Sequence, residues 1–157
     1  MRTAELLRYL ILAAQREGNR QLTLWLAELG VTPAQSEALR ILAEHEPLAL
    51  GELGDMLVCD TGASPSRIVE RLVAAGLVQR AASEHDRRQV RLTLTGRGRE
   101  TAARVAGIEN QFYDLLDQAG EGADIDAFIT FLRAFTRQAP AGIALAKRLA
   151  AEEGQPA

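Results

Sequence analysis

The sequence predicts a mainly α-helical fold with one small β-hairpin, and three features predict it. Apolar residues recur at spacings of three and four along most of the chain. Thr32-Pro33 and Ser64-Pro65 stand where helices begin, the hydroxyl as N-cap and the proline at the first helical position. The period falls to two in Gln89-Val90-Arg91-Leu92-Thr93-Leu94, as in a strand with one buried face.

The elements follow in order. Leu6, Leu7, Leu10, Ile11 and Ala14, then Leu22, Trp25, Leu26 and Leu29, mark a long amphipathic helix over 3–29, with a bend expected near Gly18-Asn19 and a stop at Gly30. A second helix runs from the Thr32 cap to about His45, turning Ala38, Leu39, Ile41 and Leu42 inward, and Pro47 closes it. Residues 50–58 make a short helix, 59–63 a turn, and a further helix continues from the Ser64-Pro65 start to Ala75. Gly76 sits where a helix C-cap glycine belongs. Leu77 to Ala81 can then pair antiparallel with 89–94, which leaves the intervening SEHDRR as a hairpin tip. Thr95 caps a long helix to about Ala119, and Asp124 starts another with Ile125, Phe128, Ile129, Leu132 and Phe135 on one face. Pro140 should interrupt that helix and leave a shorter piece from about Ile143 to Ala151.

Composition excludes several classes of function. At 157 residues and 47% apolar content the chain is one unit with a real core, and no run approaches the apolar length that spans a bilayer. A cytoplasmic protein without a membrane partner is expected. A single cysteine, Cys59, rules out an internal disulfide or a Cys-rich zinc site and reads as an inert, packed thiol. His45 and His85 have no carboxylate or cysteine at metal-ligand spacing, so neither a metal nor another cofactor is expected. Ser64 is accounted for as a cap and there is no Gly-x-Ser-x-Gly elbow, so no catalytic residue is assigned and an enzyme is not expected.

The net charge of -3 conceals a strong local imbalance. Residues 64–104 carry nine Arg against four acids, a balance of +5 that leaves -8 for the remainder. A basic middle between acidic ends suits a local anionic partner.

Helix, turn, helix and hairpin together make a winged helix-turn-helix, whose second helix enters the DNA major groove. In the helix from Ser64, Ile68, Val69, Leu72 and Val73 point inward, leaving Ser66, Arg67, Glu70, Arg71 and Ala74 outward. Arg67 lies in the first turn, where the helix dipole disfavours a cation. A phosphate or a guanine edge would compensate, since both match a guanidinium in bidentate geometry; a pair with Glu70 or Asp60 is the plain alternative. The free amides at 64–67, with the Ser64 and Ser66 hydroxyls and Pro65 between them, form a phosphate site. At the hairpin tip, Arg87 and Arg88 form a cationic projection suited to a narrow minor groove, and Asp86 reads as a clamp that orients a neighbouring arginine, with a plain turn-forming aspartate as the alternative. Leu92 and Leu94 anchor the strand, with Gln89 and Arg91 on its wet face. The DNA-binding residues expected are thus Ser64, Pro65, Ser66, Arg67, Arg71, Asp86, Arg87, Arg88 and Arg91.

GLVQR at 76–80, Asp86-x-Arg88 and Leu94-Thr95-x-x-Gly98 resemble the signature of the MarR family of bacterial regulators, over roughly residues 5–137. The resemblance implies one unit over 1–157, with a winged helix-turn-helix at 32–98 flanked by dimerisation helices at 3–29 and 99–151. It further implies a homodimer on a pseudo-palindromic, double-stranded operator, with Arg88 in the minor groove and the helix from Ser64 in the major groove. A repressor released by a small aromatic or phenolic effector is the expected behaviour. The competing reading is a winged-helix ligand sensor or protein-interaction module that does not read DNA.

Two departures stand out: Gly54 where the family usually has a small alanine, and Pro65 where it usually has an ordinary side chain. The segment after Pro140 either lengthens the dimer interface or hangs loose. Family members that sense peroxide carry the thiol in the first helix, unlike Cys59. Phe112, Tyr113, Phe128, Phe131 and Phe135 read as core and dimer contacts. Trp25, His45 and Arg16 could line an effector pocket or be packing and surface residues, so effector-binding residues stay unassigned.

Overall fold

The computed structural model describes residues 1–59, 64–82 and 90–153. Helix α1 (Thr3–Leu26) ends in a 3-10 turn (Ala27–Leu29), after which Gly30 adopts the left-handed conformation at φ 67°. α1 continues through Gly18 without a break in the helix. A Cβ on that glycine would lie 3.2 Å from Phe112 Cζ, on the helix that packs beside it.

α2 (Pro33–His45) begins as its sequence dictates: the Thr32 hydroxyl accepts from Gln35 N–H and the Gln35 side chain accepts from Thr32 N–H, a reciprocal capping box. α3 (Leu50–Met56) stops two residues earlier than expected. α4 (Pro65–Ala74) ends in a Schellman motif, with Gly76 at φ 70°, its N–H on Val73 O and the Leu77 N–H on Leu72 O.

β1 (Val78–Ala82) and β2 (Val90–Leu94) pair antiparallel in the register Val78↔Leu94, Arg80↔Leu92. β1 begins one residue later than the alternation suggested. Leu48 adds a single bridge to Leu92 on the other side, a third rung unseen in the sequence because Pro47 interrupts any run around it. α5 (Gly96–Gly120) and α6 (Ile125–Thr136) start at the expected caps, Thr95 accepting from Gly98 N–H and Asp124 from Ala127 N–H.

The last helix corrects the expectation around Pro140. α7 (Pro140–Glu153) starts at the proline instead of three residues after it, because a proline at the first helical turn needs no intrahelical N–H partner. α7 packs against α3, burying Ala144, and a Cβ on Gly142 would meet Thr136 O at 2.0 Å.

One core gathers Leu26, Leu39, Ile41, Leu42, Leu53, Val69, Leu72, Leu92, Leu94 and Val105, all essentially fully buried. It lies under α2, α4 and the hairpin. Beyond it, α1, the distal half of α5 and α6 leave Leu10, Leu116, Phe128, Phe131 and Phe135 exposed, the last at 73%. On α5, burial pushes the Glu109 carboxyl above the usual carboxylate range, while Arg40 and Arg148 pull it back. Among the described residues, no helix is long and apolar enough to cross a membrane.

Candidate nucleic-acid interface

α4 divides by face as its sequence requires. Ile68, Val69 and Leu72 are buried, and Ser66, Arg67, Glu70, Arg71 and Ala74 are exposed. The Ser64 hydroxyl accepts from Arg67 N–H at 3.5 Å, and because Pro65 has no N–H the Ser66 amide is the one donor of the first turn left without an acceptor in the helix. The N-terminal turn therefore presents the Ser66 amide, exposed hydroxyls and a guanidinium.

Pro65 is half-buried against α3, and its environment explains both departures from the family pattern. A Cβ on Gly54 would fall 3.1 Å from Pro65 Cγ and 3.3 Å from its Cβ. The ring occupies the space that an alanine methyl at 54 would fill, so the glycine and the proline accommodate each other.

The basic segment separates into two groups of arginines. Arg97 Nη1 donates to Ala75 O at 3.2 Å, holding the C-terminus of α4, where a cation is favoured by the dipole. Arg99 pairs with Glu46, and Arg104 with Glu28 at 3.1 Å. Arg91 was expected on a wet face. It is half-buried, with Nη1 2.5 Å from Glu52 Oε2, the same oxygen that accepts from Ala49 N–H at 2.6 Å. These four have partners within the chain. Among the described residues, Arg67, Arg71 and Arg80 form no ion pair, so positive charge left over from structure collects on α4 and β1. The expected Arg67–Glu70 alternative is not formed. Arg80, which the sequence pattern does not mark, is exposed on β1.

Asp86, Arg87 and Arg88, with Gln89, His85 and the Asp60 alternative, lie outside the described residues. Arg16 lines a shallow hollow with Asn19, Arg20, Thr23 and Pro33, and neither Trp25 nor His45 joins it. Among the described residues, no group of three His, Cys, Asp or Glu side chains could hold a metal ion.

Two carboxylates missed by sequence reasoning hold the reading frame together. Glu37 on α2 accepts from Val58 N–H and Cys59 N–H, each at 2.8 Å. Glu46 accepts from Leu94 N–H and pairs with Arg99, joining the end of α2 to β2 and α5. Both sets of partners lie far away in sequence; Glu37 is a partly buried acid on α2, and Glu46 stands just past the end of that helix.

A helix-turn-helix with a two-stranded wing and an unpaired arginine face defines a winged-helix DNA-binding protein. Comparison with known proteins agrees at each level. The MarR family profile matches residues 29–89. The chain is 33% identical over 113 residues to the organic hydroperoxide resistance transcriptional regulator of Bacillus subtilis, covering 72% of this chain and 76% of that protein. Among solved structures, a cysteine-to-serine mutant of E. coli MarR complexed with operator DNA is 27% identical with a TM-score of 0.66, over 85% of this chain and 94% of that one. A MarR-family regulator from Silicibacter pomeroyi is 26% identical with a TM-score of 0.67, over 88% and 97%. The chain belongs to the MarR family and is a transcriptional regulator with a DNA-binding winged helix.

Proposed function

We propose that this regulator acts as a homodimeric repressor, occupying a pseudo-palindromic operator and leaving it when a small aromatic or phenolic effector binds. The observation that carries the DNA-reading part is the exposed, unpaired Arg67 and Arg71 one turn apart on α4, beside the free Ser66 amide and the Ser64 and Ser66 hydroxyls. Ser64, Pro65, Ser66, Arg67 and Arg71 form the major-groove surface in this reading. Asp86, Arg87 and Arg88 form the wing tip. Arg91 supports the wing through Glu52, and Arg80 adds a further cation.

The exposed apolar faces of α1 and α6 support the dimer. Phe128, Ile129, Phe131 and Phe135 in a monomer would leave a patch larger than soluble chains usually tolerate. A second copy supplies both their cover and the twofold symmetry that a palindrome requires. Residues 3–29 and 99–151 form the dimerising part and 32–98 the DNA-reading part. The B. subtilis relative's name concerns organic hydroperoxides; here Cys59 has its backbone amide held by Glu37, and a thiol-based response is not part of the proposal.

The test is binding of the purified protein to its own upstream DNA against random duplex at two salt concentrations. Preference for the upstream duplex that weakens with salt and disappears in Arg67→Ala supports the reading. Equal, weak binding to both duplexes in every condition would favour a winged module with a protein or ligand partner instead.

A further inference from the structure

The helix-turn-helix must present α4 at a fixed angle, yet α3, which precedes it, is only seven residues long. Its exit is held from outside. After Leu57 N–H reaches Gly54 O at 3.4 Å, the next two amides, Val58 and Cys59, donate to the two different oxygens of Glu37. The Glu37 side chain is 12% exposed, and Arg148 Nη1 of α7 lies 3.9 Å from the same carboxylate. Arg148 also reaches Glu44 at 3.6 Å, and its neighbour Lys147 ties α7 to Asp55 on α3 at 2.6 Å.

We propose that Glu37 is a positioning residue for DNA recognition, gripping the backbone between α3 and α4 with both carboxylate oxygens, and that Arg148 makes this grip respond to the last helix. A carboxylate is needed because it accepts twice and donates nothing. Glutamine would turn an N–H toward one of the two amides and leave that amide without an acceptor. Withdrawing Arg148 removes the cation beside Glu37 and so weakens its hold on the exit from α3. α7 then tunes how α4 meets DNA without touching DNA itself. The proposal rests on the reading of α4 as the helix that enters the groove.

The experiment uses the full chain in four forms: wild type, Glu37→Gln, Arg148→Ala and Arg67→Ala. The probe is a duplex selected by the wild-type protein from a randomised pool, set against unselected duplex. Glu37→Gln should lose about tenfold or more of the specificity ratio while binding to unselected duplex and its salt slope stay unchanged, because phosphate contacts remain. Arg148→Ala should lose a smaller part, about threefold, through its coupling to the same carboxylate. A role in stability alone would lower the melting temperature of either variant and leave this ratio intact. Cys59, the chain's only cysteine, reports the grip without DNA: its maleimide labelling should accelerate in both variants and remain at the wild-type rate in Arg67→Ala.

An unchanged specificity ratio in folded Glu37→Gln overturns the proposal whatever the labelling shows. If that variant does not fold, an unchanged ratio in Arg148→Ala overturns it. Full binding by Arg67→Ala would instead reject α4 as the reading helix, a separate failure.

Discussion

Gly98 closes the Leu-Thr-x-x-Gly motif, and Gly98→Ala tests why the motif exists. A Cβ built on Gly98 falls 1.9 Å from Leu77 O and 3.0 Å from Leu77 C, both backbone atoms with no rotamer to give way. Normal contact begins near 3.4 Å, so about 1.5 Å of overlap must be relieved by moving α5 away from β1. Overpacking of this kind costs about 1–3 kcal/mol. Leu77 O also accepts from Thr95 N–H at 3.0 Å and from its hydroxyl at 3.3 Å, and disturbing these adds about 0.5–1.5 kcal/mol each. Alanine's better helix propensity returns up to about 1 kcal/mol, leaving a net loss of about 3 kcal/mol. Gly107→Ala in the same helix is the control, since nothing lies within 4 Å of its added Cβ, and it should stabilise by up to about 1 kcal/mol. Urea unfolding followed by circular dichroism, at one protomer concentration, compares the two. If Gly98→Ala proved as stable as Gly107→Ala, the close approach of α5 to Leu77 would be wrong.

Arg67→Ala and Arg71→Ala should each weaken operator binding by about 1–3 kcal/mol with unchanged folding, as measured by fluorescence anisotropy; wild-type affinity in both would remove α4 from the interface. Glu46→Ala should cost about 2 kcal/mol in urea, since the Leu94 amide and Arg99 lose one shared acceptor. Glu109 tests the pH sign. Its folded pKa is raised, so its contribution is complete in acid, where it is protonated folded and unfolded, and is lost as pH rises through the folded value. Melts from acid to neutral pH should therefore show Glu109→Gln gaining on wild type as pH rises, and a parallel pair of curves would contradict the burial argument. Phe128→Asp should give a chain of monomer mass in analytical ultracentrifugation, whereas a dimer would place the interface elsewhere.

What was legible in the sequence was local. The Thr32 and Ser64 caps, the Gly76 stop and the change of period at β2 are each decided by neighbouring residues, and the helix starts followed from them. Glu37 and Glu46 were illegible for the opposite reason: their partners are 21 and 48 residues away, and a glutamate in or just after a helix reads as a solvated one. The close approach of Phe112 to Gly18 was illegible, because its ring comes from a helix more than ninety residues further along the chain. Pro140 was read as an ending, although the rule that placed Pro33 and Pro65 at helix starts applied equally. The candidate site was half legible: the sequence singles out Arg67 and Arg71, and only the structure separates them from Arg91, Arg97, Arg99 and Arg104, which have partners within the chain.

The carbonyl of Leu77 has a mechanical consequence. It follows directly on the glycine that ends α4, it accepts from the cap of α5, and Gly98 presses against it, so the two helices cannot turn independently. α5 has 25 residues and is about 37 Å long at about 1.5 Å per residue. In the proposed dimer it works as a lever with its fulcrum among the terminal helices. A tilt of about 5° moves the end bearing α4 by about 3 Å, close to the spacing of one base pair. Such a protein can lose its register on DNA through an angular change too small to disturb any contact in its core.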